Sequence, residues 1–333
     1  MVLPFVERSY RVLLDASDGC DRIVSHVLAF SVPLVAEKRA LPWFGCCLQP
    51  STLFSVDDPP VLSVFPHLPT LRRLGPWPIR GFYRLMASMS RRWFSPIEAL
   101  RRREGLGPAP THPLLGAWSP HGNLALFPEA FAPRQRDWPE RLQTIGFPLD
   151  DDDGSGGLPV DVERFVPEGP PPVVFTLGSA VSESETLFFR DAYAAVKDTG
   201  ARAVFVSGAK HLGVPDEAFA DPNVRVVAYA PYSALFPRAK VVAHQCGIGT
   251  TAQALAAGVP QLCVPFAHDQ PNNAARVARL GLGAVVPATA LGRNHRSTPL
   301  AARRRAFRAR GALAGAAVSR RRFFRASRFG TWW

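Results

Sequence analysis

The chain has 333 residues, 47% of them hydrophobic, and a formal net charge of +12, so it is long enough for two domains with substantial cores. No apolar run is long enough to cross a bilayer, and the sequence predicts no transmembrane helix. The excess charge comes from the twelve arginines between Arg293 and Arg328, since no acidic residue follows Asp269; a basic binding face on the folded part is therefore not indicated.

The N-terminus and the cysteines favour a cytoplasmic protein. The first residues lack a basic segment followed by a long apolar core, so no secretory signal is expected. The five cysteines (Cys20, Cys46, Cys47, Cys246 and Cys263) form neither a C-x-x-C pair nor a zinc pattern with histidine. Buried free thiols in a reducing compartment are the favoured interpretation.

Residues 1–149 are predicted as a first domain that is irregular and rich in proline. Residues 21–25, 27–39 and 43–48 indicate a strand, a helix and a strand, and helical segments are predicted at 79–93 and 96–103. A short strand is predicted at 124–127. The apolar and aromatic residues at 61–94 suit a hydrophobic acceptor and an ordinary core equally well.

Residues 150–172 are predicted as a linker. Four adjacent aspartates and a Gly-Ser-Gly-Gly run contain no apolar residue, and residues 167–172 are rich in proline. A metal site is the alternative interpretation of the aspartates, but a solvated loop imposes no ligand geometry on them.

Residues 173–290 are predicted as a second domain with alternating strands and helices. Strands are expected at residues 173–177, 203–206, 224–229, 241–243, 261–264 and 283–286, with helices at 232–237, 249–257 and 271–281 and before Thr199. This alternation predicts an α/β fold with a doubly wound parallel sheet.

The most informative segment runs from residue 241 to residue 270. An apolar strand leads to His244, then to a glycine-rich turn with Gly247 and Gly249, and then to Thr250 at the start of a helix. The unpaired amides and the positive dipole end of such a helix suit a phosphate group.

A second polar group is expected at the same edge of the sheet. The strand at 261–264 is followed by Asp269 and Gln270, and the carboxyl ends of parallel strands form the ligand-binding edge of open α/β sheets. A phosphate cradle beside a carboxylate and an amide predicts a holder for a nucleotide-activated sugar. Alternatively, Asp269 caps the helix that begins near Pro271.

The segment H-Q-C-G-I-G-T-T-A-Q-A-L-A-A-G-V-P-Q, followed by P-F-A-H-D-Q-P, closely resembles the donor-binding segment of GT-B glycosyltransferases of the UDP-glycosyltransferase type. This group glycosylates sterols, lipids and antibiotic aglycones. The resemblance implies two Rossmann-like lobes, the N-terminal one incomplete, and inverting, metal-independent hexose transfer from a UDP- or TDP-sugar to a hydrophobic acceptor, with no cofactor beyond the donor. It also implies a donor site made of Ser179, Tyr229, His244, Gly247, Gly249, Thr250, Asp269 and Gln270.

The roles implied for these residues differ. His244 and the turn amides would hold the diphosphate, and Asp269 and Gln270 the sugar hydroxyls. Ser179 is either a phosphate contact or part of a simple turn. Tyr229 lies in a segment expected against the base, although packing is the favoured explanation for its own side chain.

Two departures from the family pattern leave other functions open. The family usually has glycine where this chain has Cys246, which is costly if the backbone needs a positive φ. The family's catalytic histidine follows a glycine pair on the first strand, and the chain has no such sequence. His26 stands near a strand end without glycines beside it, so the catalytic base is not identified. The alternative is a truncated, non-catalytic homologue.

Residues 291–333 are predicted as an arginine-rich, disordered tail. An altered reading frame or an unselected extension is the favoured interpretation. Binding of a polyanion or peripheral contact with a membrane is the functional alternative, while nucleic acid is not an expected partner.

Overall fold

The computed structural model describes residues 5–109, 111–116, 118–149, 157–178 and 186–288. The chain divides into two compact units, with the boundary between Phe147 and Pro148. Each unit contains one parallel sheet with helices around it. The predicted α/β class with two Rossmann-like lobes is therefore confirmed.

The N-terminal unit has a four-stranded sheet in the order β1-β2-β3-β4, and all three strand pairs are parallel. The strands are β1 (Ile23–His26), β2 (Trp43–Cys47), β3 (Asn123–Ala125) and β4 (Leu142–Thr144). The helices are α1 (Val6–Ala16), α2 (Val32–Arg39), α3 (Trp77–Arg103) and α4 (Pro113–Gly116). The predicted strand–helix–strand unit corresponds to β1, α2 and β2.

A single helix, α3, replaces the two helical segments predicted at 79–93 and 96–103. Pro96 lies inside it and cannot supply the amide hydrogen that would bond the carbonyl of Arg92. The hydroxyl of Ser95 donates to that carbonyl at 2.8 Å, so the acceptor is satisfied and the helix continues. The break predicted at Pro96 is wrong.

The C-terminal unit has a six-stranded parallel sheet in the order β10-β9-β8-β5-β6-β7. The strands are β5 (Val173–Thr176), β6 (Ala203–Val206), β7 (Val224–Val227), β8 (Val241–His244), β9 (Gln261–Cys263) and β10 (Gly283–Val285). The helices are α5 (Val160–Phe165), α6 (Thr186–Thr199), α7 (Glu217–Ala220), α8 (Tyr232–Leu235), α9 (Ile248–Ala256) and α10 (Gln270–Arg279). The predicted strands and helices of this half are confirmed, with shifts of a few residues at their ends.

Apolar residues on both faces hold this sheet in place. All four residues of β5 are buried. Val173 and Phe175 belong to one hydrophobic cluster and Val174 to another, as the alternation of side chains along a strand requires. A strand covered on both faces explains the continuous apolar runs in the sequence.

The stretch predicted as a linker contains a packed element. Helix α5 buries Val162 and Phe165 in a core cluster of the C-terminal unit. Two apolar positions are too few to produce a recognisable periodicity, so no sequence pattern indicates this helix.

Three predictions concern residues outside the described ranges: those for Ser179, for the four aspartates at 150–153 and for the arginine-rich tail. In the part of the chain that the structure describes, no helix is long and apolar enough to span a membrane.

Candidate functional site

The candidate site lies where the strand order of the C-terminal sheet reverses. Strands β5, β6 and β7 follow one another in one direction, and β8, β9 and β10 follow one another in the other. The first strands of the two halves, β5 and β8, are neighbours, with Thr176 paired to His244. A crevice outside the carboxyl ends of two such strands is the usual ligand site of an open α/β sheet.

The turn after β8 presents free backbone donors. Helix α9 begins at Ile248. The amide of Thr251 donates to the carbonyl of Gly247, the residue before the helix, at 3.0 Å. Within the described part of the chain, the amides of Gly249 and Thr250 have no acceptor. Gly249 is exposed, so these amides and the helix dipole can meet an anion.

His244 is fully buried and bonded to protein groups through both ring nitrogens. Its Nδ1 accepts from the amide of Cys246 at 3.2 Å, and its Nε2 lies 2.9 Å from Oε1 of Gln261. These partners require the proton on Nε2, which then donates to Gln261. Burial lowers the pKa of His244 to about 4, so the ring is neutral. In this conformation the imidazole braces the turn and does not face the open edge; its direct contact with a diphosphate stays a prediction.

The lowered pKa of His244 predicts a loss of stability in acid. The unfolded chain binds a proton near the ordinary value of 6.5, whereas the folded chain resists protonation down to about 4, so stability falls as the pH drops through this window. At 1.36 kcal/mol per pKa unit, the loss approaches about 3 kcal/mol. Urea denaturation across the window should show this slope, and His244→Gln should remove it while lowering stability overall. Parallel curves for the two proteins would contradict the assignment.

Gln245 is a candidate that the sequence pattern does not single out. Its side chain is buried, and its Oε1 has no hydrogen-bond partner among the residues that the structure describes. The carboxamide lies over two glycines: a Cβ added to Gly178 would meet its nitrogen at 2.6 Å, and one added to Gly247 at 3.2 Å. Gly178 also has a φ of +66°. Glycine at both positions leaves room for this carboxamide, which lies between the turn after β8 and the end of β5.

The unpaired oxygen of Gln245 needs an explanation, because leaving a buried polar group without a partner costs about 1–3 kcal/mol. Gln245 follows directly after β8 at the strand-order reversal, beside the free amides of α9. A half-turn of the carboxamide exchanges its oxygen and its NH₂ group, so the same position can donate to a ligand oxygen. A polar residue immediately after a strand that ends in a glycine turn is the sequence signal that could have identified it.

Cys246 has a φ of +67°, so the condition under which a side chain is costly at this position is met. A left-handed conformation costs a residue with a Cβ roughly 1–2 kcal/mol. Cys246→Gly and Cys246→Ala both remove the sulfur, so we expect the glycine variant to be the more stable of the two by about 1 kcal/mol in chemical denaturation. Equal stabilities would show that the backbone carries no strain here.

The turn brings together three possible metal ligands that sequence spacing does not indicate. Atoms of His244, Cys246 and Cys263 lie within 4.8 Å of one another, and all three side chains are buried. The pairing of His244 with Cys263 across β8 and β9 produces this cluster. Because both nitrogens of His244 already have protein partners, the group fits packed thiols better than a metal centre.

Asp269 and Asn273 connect the second loop to the glycine turn. The Nδ2 of Asn273 donates to Oδ2 of Asp269 at 2.6 Å and to the carbonyl of Cys246 at 2.9 Å. Burial raises the pKa of Asp269, and the amide of Ile248 at the start of α9 opposes this shift. Asp269 stands at the N-cap position of α10 but makes no side-chain capping bond there. The capping explanation is therefore not supported, and the carboxylate faces α9.

The side chain of Gln270 stabilises the loop that precedes it. Its Oε1 accepts from the amides of Phe266 and Ala267 at 2.8 and 3.0 Å, and the residue is buried. The oxygen is therefore used internally, which leaves the amide nitrogen as the group that can contact a sugar. Tyr229 lies beyond the end of β7 and is 44% exposed, so its ring is not part of the core that the packing explanation required.

In the N-terminal unit, His26 is the last residue of β1, as predicted. Its Nδ1 accepts from the amide of Leu28 at 3.3 Å, and within the described ranges its buried Nε2 has no partner. Burial lowers the pKa of His26, which favours the neutral ring.

Comparisons with known proteins point to one group. Residues 196–312 match the family model described as Erythromycin biosynthesis protein CIII-like, C-terminal domain. O-mycaminosyltylonolide 6-deoxyallosyltransferase of Streptomyces fradiae is 32% identical over 279 residues, which cover 81% of this chain and 61% of that protein. Vancomycin aglycone glucosyltransferase of Amycolatopsis orientalis is 30% identical over 272 residues, which cover 80% and 63%. The chain therefore spans less than two thirds of the length of these relatives.

Among solved structures, the spinosyn rhamnosyltransferase SpnG complexed with thymidine diphosphate matches with a TM-score of 0.65. The match covers 98% of this chain and 74% of that chain at 17% identity. At this identity the likeness shows a shared fold.

Proposed function

Because the chain is a homologue of GT-B glycosyltransferases of the UDP-glycosyltransferase type, we propose that its C-terminal unit binds a nucleotide-activated sugar. We further propose that the protein transfers this hexose to a hydroxyl group of a hydrophobic acceptor such as a sterol, a lipid or an aglycone. The donor is a nucleoside diphosphate sugar, and no other cofactor takes part.

One observation carries the proposal. The free amides of Gly249 and Thr250 and the unpaired end of the Gln245 carboxamide lie together at the strand-order reversal of the C-terminal sheet. A diphosphate has several negative oxygens and no donors, so it complements a cluster of N–H groups at a helix N-terminus. We therefore propose that Gln245, Gly249 and Thr250 bind the diphosphate. His244 stabilises the turn through its bond to the amide of Cys246, and Ser179 is a further proposed contact.

The sugar and the base extend from the diphosphate in this proposal. Asp269 accepts hydrogen bonds from sugar hydroxyls, and the amide nitrogen of Gln270 donates to one. Tyr229 lies against the base. The SpnG protein forms a complex with thymidine diphosphate, which supports TDP as well as UDP as the nucleotide.

The proposed reaction inverts the anomeric carbon. The acceptor oxygen forms a bond to this carbon as the bond to the diphosphate oxygen breaks, and a base removes the acceptor proton. Charge develops on the departing diphosphate, where the α9 amides and the helix dipole stabilise it. These groups perform the task that a metal ion performs in other enzymes, so we propose a metal-independent transfer.

The relatives support a hydrophobic acceptor. One of them acts on O-mycaminosyltylonolide and another on the vancomycin aglycone. A sterol glucosyltransferase of Arabidopsis thaliana is also similar, at 26% identity over 279 residues. We therefore propose a lipid-like or aglycone-like hydroxyl compound as the second substrate.

Calorimetry and a transfer assay test the two parts of the proposal. Titration with TDP, UDP and their glucose derivatives should give saturable binding, and a radiolabelled donor should label a hydrophobic acceptor. Binding without transfer would favour a non-catalytic homologue. No binding of either nucleotide would overturn the proposal.

A further inference from the structure

Two buried thiols lie together at the turn after β8. Cys246 is the second residue after that strand, and Cys263 ends β9, where it is paired with His244. The sulfur atoms of the two cysteines lie within 4.8 Å of each other. Both thiols are free, and both residues are fully buried. The fold therefore brings a pair of reduced thiols to the segment that carries the free amides of α9.

The backbone of Cys246 is strained for a residue with a side chain. Its φ is +67°, a left-handed conformation that is costly for a residue with a Cβ. Such outliers persist where the surrounding structure imposes them, and they concentrate at functional sites and switch regions. Here the strained residue carries a thiol beside a second thiol, and the reaction open to such a pair is oxidation to a disulfide.

The backbones of the two cysteines are held in different ways. Cys263 lies inside the sheet, paired with His244 of β8 on one side and with Val285 of β10 on the other. Cys246 is held by two side chains: its amide donates to Nδ1 of His244 at 3.2 Å, and its carbonyl accepts from Nδ2 of Asn273 at 2.9 Å. When the two sulfurs approach each other, the turn therefore moves more readily than the sheet.

We propose that Cys246 and Cys263 form a reversible disulfide under oxidising conditions, and that this bond weakens binding of the nucleotide donor. The second part rests on the function proposed above. A disulfide holds its sulfur atoms about 2.05 Å apart, so the free thiol of Cys246 has to move towards β9. Gly247 joins Cys246 to helix α9, and the free amides of Gly249 and Thr250 change position with it.

Hydrogen peroxide is the oxidant in this proposal. One thiolate attacks a peroxide oxygen, the O–O bond breaks, and the sulfur becomes a sulfenic acid while the other oxygen leaves with the thiol proton as water. The second thiol displaces the sulfenic oxygen, which also leaves as water, and the S–S bond forms. The two sulfurs lose two electrons and two protons in total, and the two water molecules receive them.

Burial of the pair decides when the reaction occurs. Burial raises the pKa of the Cys246 thiol, and the neighbouring Cys263 raises it further, so little reactive thiolate is present while the turn is closed. Oxidation therefore proceeds through transient opening of the turn. A nucleoside diphosphate on the α9 amides stabilises the closed turn, and we expect it to slow the oxidation.

The disulfide and the nucleotide affect each other by the same factor. If the disulfide lowers nucleotide affinity by a given factor, saturating nucleotide shifts the pair towards the dithiol by that factor. We expect about 10-fold or more, because the displaced amides lose charge-assisted hydrogen bonds to the phosphate. A tenfold effect raises the midpoint potential of the pair by about 30 mV.

Peptide mapping by mass spectrometry without reduction tests the first part on the full chain. Hydrogen peroxide should link Cys246 to Cys263, and dithiothreitol should restore both thiols. Amide hydrogen exchange of residues 244–251 should change on oxidation, and this measurement needs no nucleotide. Sulfinic or sulfonic acid in place of the disulfide would overturn the proposal, and so would unchanged exchange once the disulfide has formed.

Calorimetric titration with TDP or UDP tests the second part. Affinity should fall about 10-fold or more on oxidation and recover with dithiothreitol, and saturating nucleotide should raise the midpoint of a dithiothreitol redox titration by about 30 mV. Cys263→Ala and Cys246→Gly each remove one sulfur and should abolish both effects. The matched control Cys20→Ser removes an exposed thiol of the N-terminal unit and should respond like the wild type.

Two results of the titrations would overturn the second part. A response to oxidation that persists in Cys263→Ala and Cys246→Gly would assign it to other thiols. A disulfide that leaves nucleotide affinity unchanged would show that the pair does not control the donor turn. Failure of the reduced protein to bind either nucleotide would overturn the second part together with the proposed function, whereas mapping and hydrogen exchange decide the disulfide without any nucleotide.

Discussion

Gln245→Met should weaken binding of the nucleoside diphosphate about 10- to 100-fold, without a loss of stability. The carboxamide of Gln245 is buried, and its oxygen is unpaired within the described part of the chain, so an apolar side chain of similar shape removes an unsatisfied group and is neutral or stabilising. A hydrogen bond from the carboxamide to a charged phosphate oxygen is worth roughly 1.5–3 kcal/mol, and methionine cannot form it. Calorimetric titration with TDP or UDP, together with urea denaturation, measures both effects.

Two further variants of the same segment sharpen this prediction. Gln253→Met changes a glutamine inside α9, away from its N-terminus, and should leave affinity unchanged. Gln245→Glu should weaken binding further than methionine does, because it places a negative charge beside the diphosphate. Wild-type affinity in Gln245→Met would remove this residue from the site and leave the amides of α9 as the proposed phosphate donors.

The fold could be predicted from the sequence where burial on both faces produces continuous apolar runs. β5 and β6 are entirely buried, and the sequence pattern predicts both within one residue. Two of the short elements that the pattern misses have few buried residues: β4 buries only Leu142, and α7 buries only Ala218. Packing, rather than local pattern, decides whether such short segments become regular.

The position of the site could be predicted, but the direction of its side chains could not. The pattern of strand, glycine turn and helix locates the phosphate turn, because this order of elements fixes where free amides lie. The roles of His244 and Gln245 depend on which side of the turn each residue faces. The ring of His244 donates to Gln261 of β9. A local sequence pattern does not show a hydrogen-bond partner that comes from another strand. The position of Gln245 directly after a strand could have drawn attention to it, but the sequence does not show that its carboxamide is buried beside Gly178 and Gly247.

Asp269→Asn should have opposite effects on the nucleotide sugar and on the free nucleotide. We expect affinity for the TDP- or UDP-sugar to fall about 10-fold, because a charge-assisted hydrogen bond from a sugar hydroxyl is roughly twice as strong as a neutral one. Affinity for TDP or UDP alone should stay constant or rise. Asn273 connects the carboxylate to the carbonyl of Cys246, just before α9, so removing its charge lowers repulsion of a diphosphate at this helix end.

The same substitution has a defined effect on stability. Burial raises the pKa of Asp269, so the folded chain favours the protonated form and loses stability as the pH rises through this pKa. Asparagine resembles the protonated form, and the variant should therefore equal or exceed the wild type in stability at neutral pH, with the difference shrinking in acid. Asp221→Asn is the matched control, since Asp221 is buried before β7 at the amino edge of the sheet and pairs with Lys197. It should cost stability and leave both affinities unchanged. Equal losses of nucleotide and nucleotide-sugar affinity in Asp269→Asn would show that the carboxylate organises the turn instead of binding the sugar.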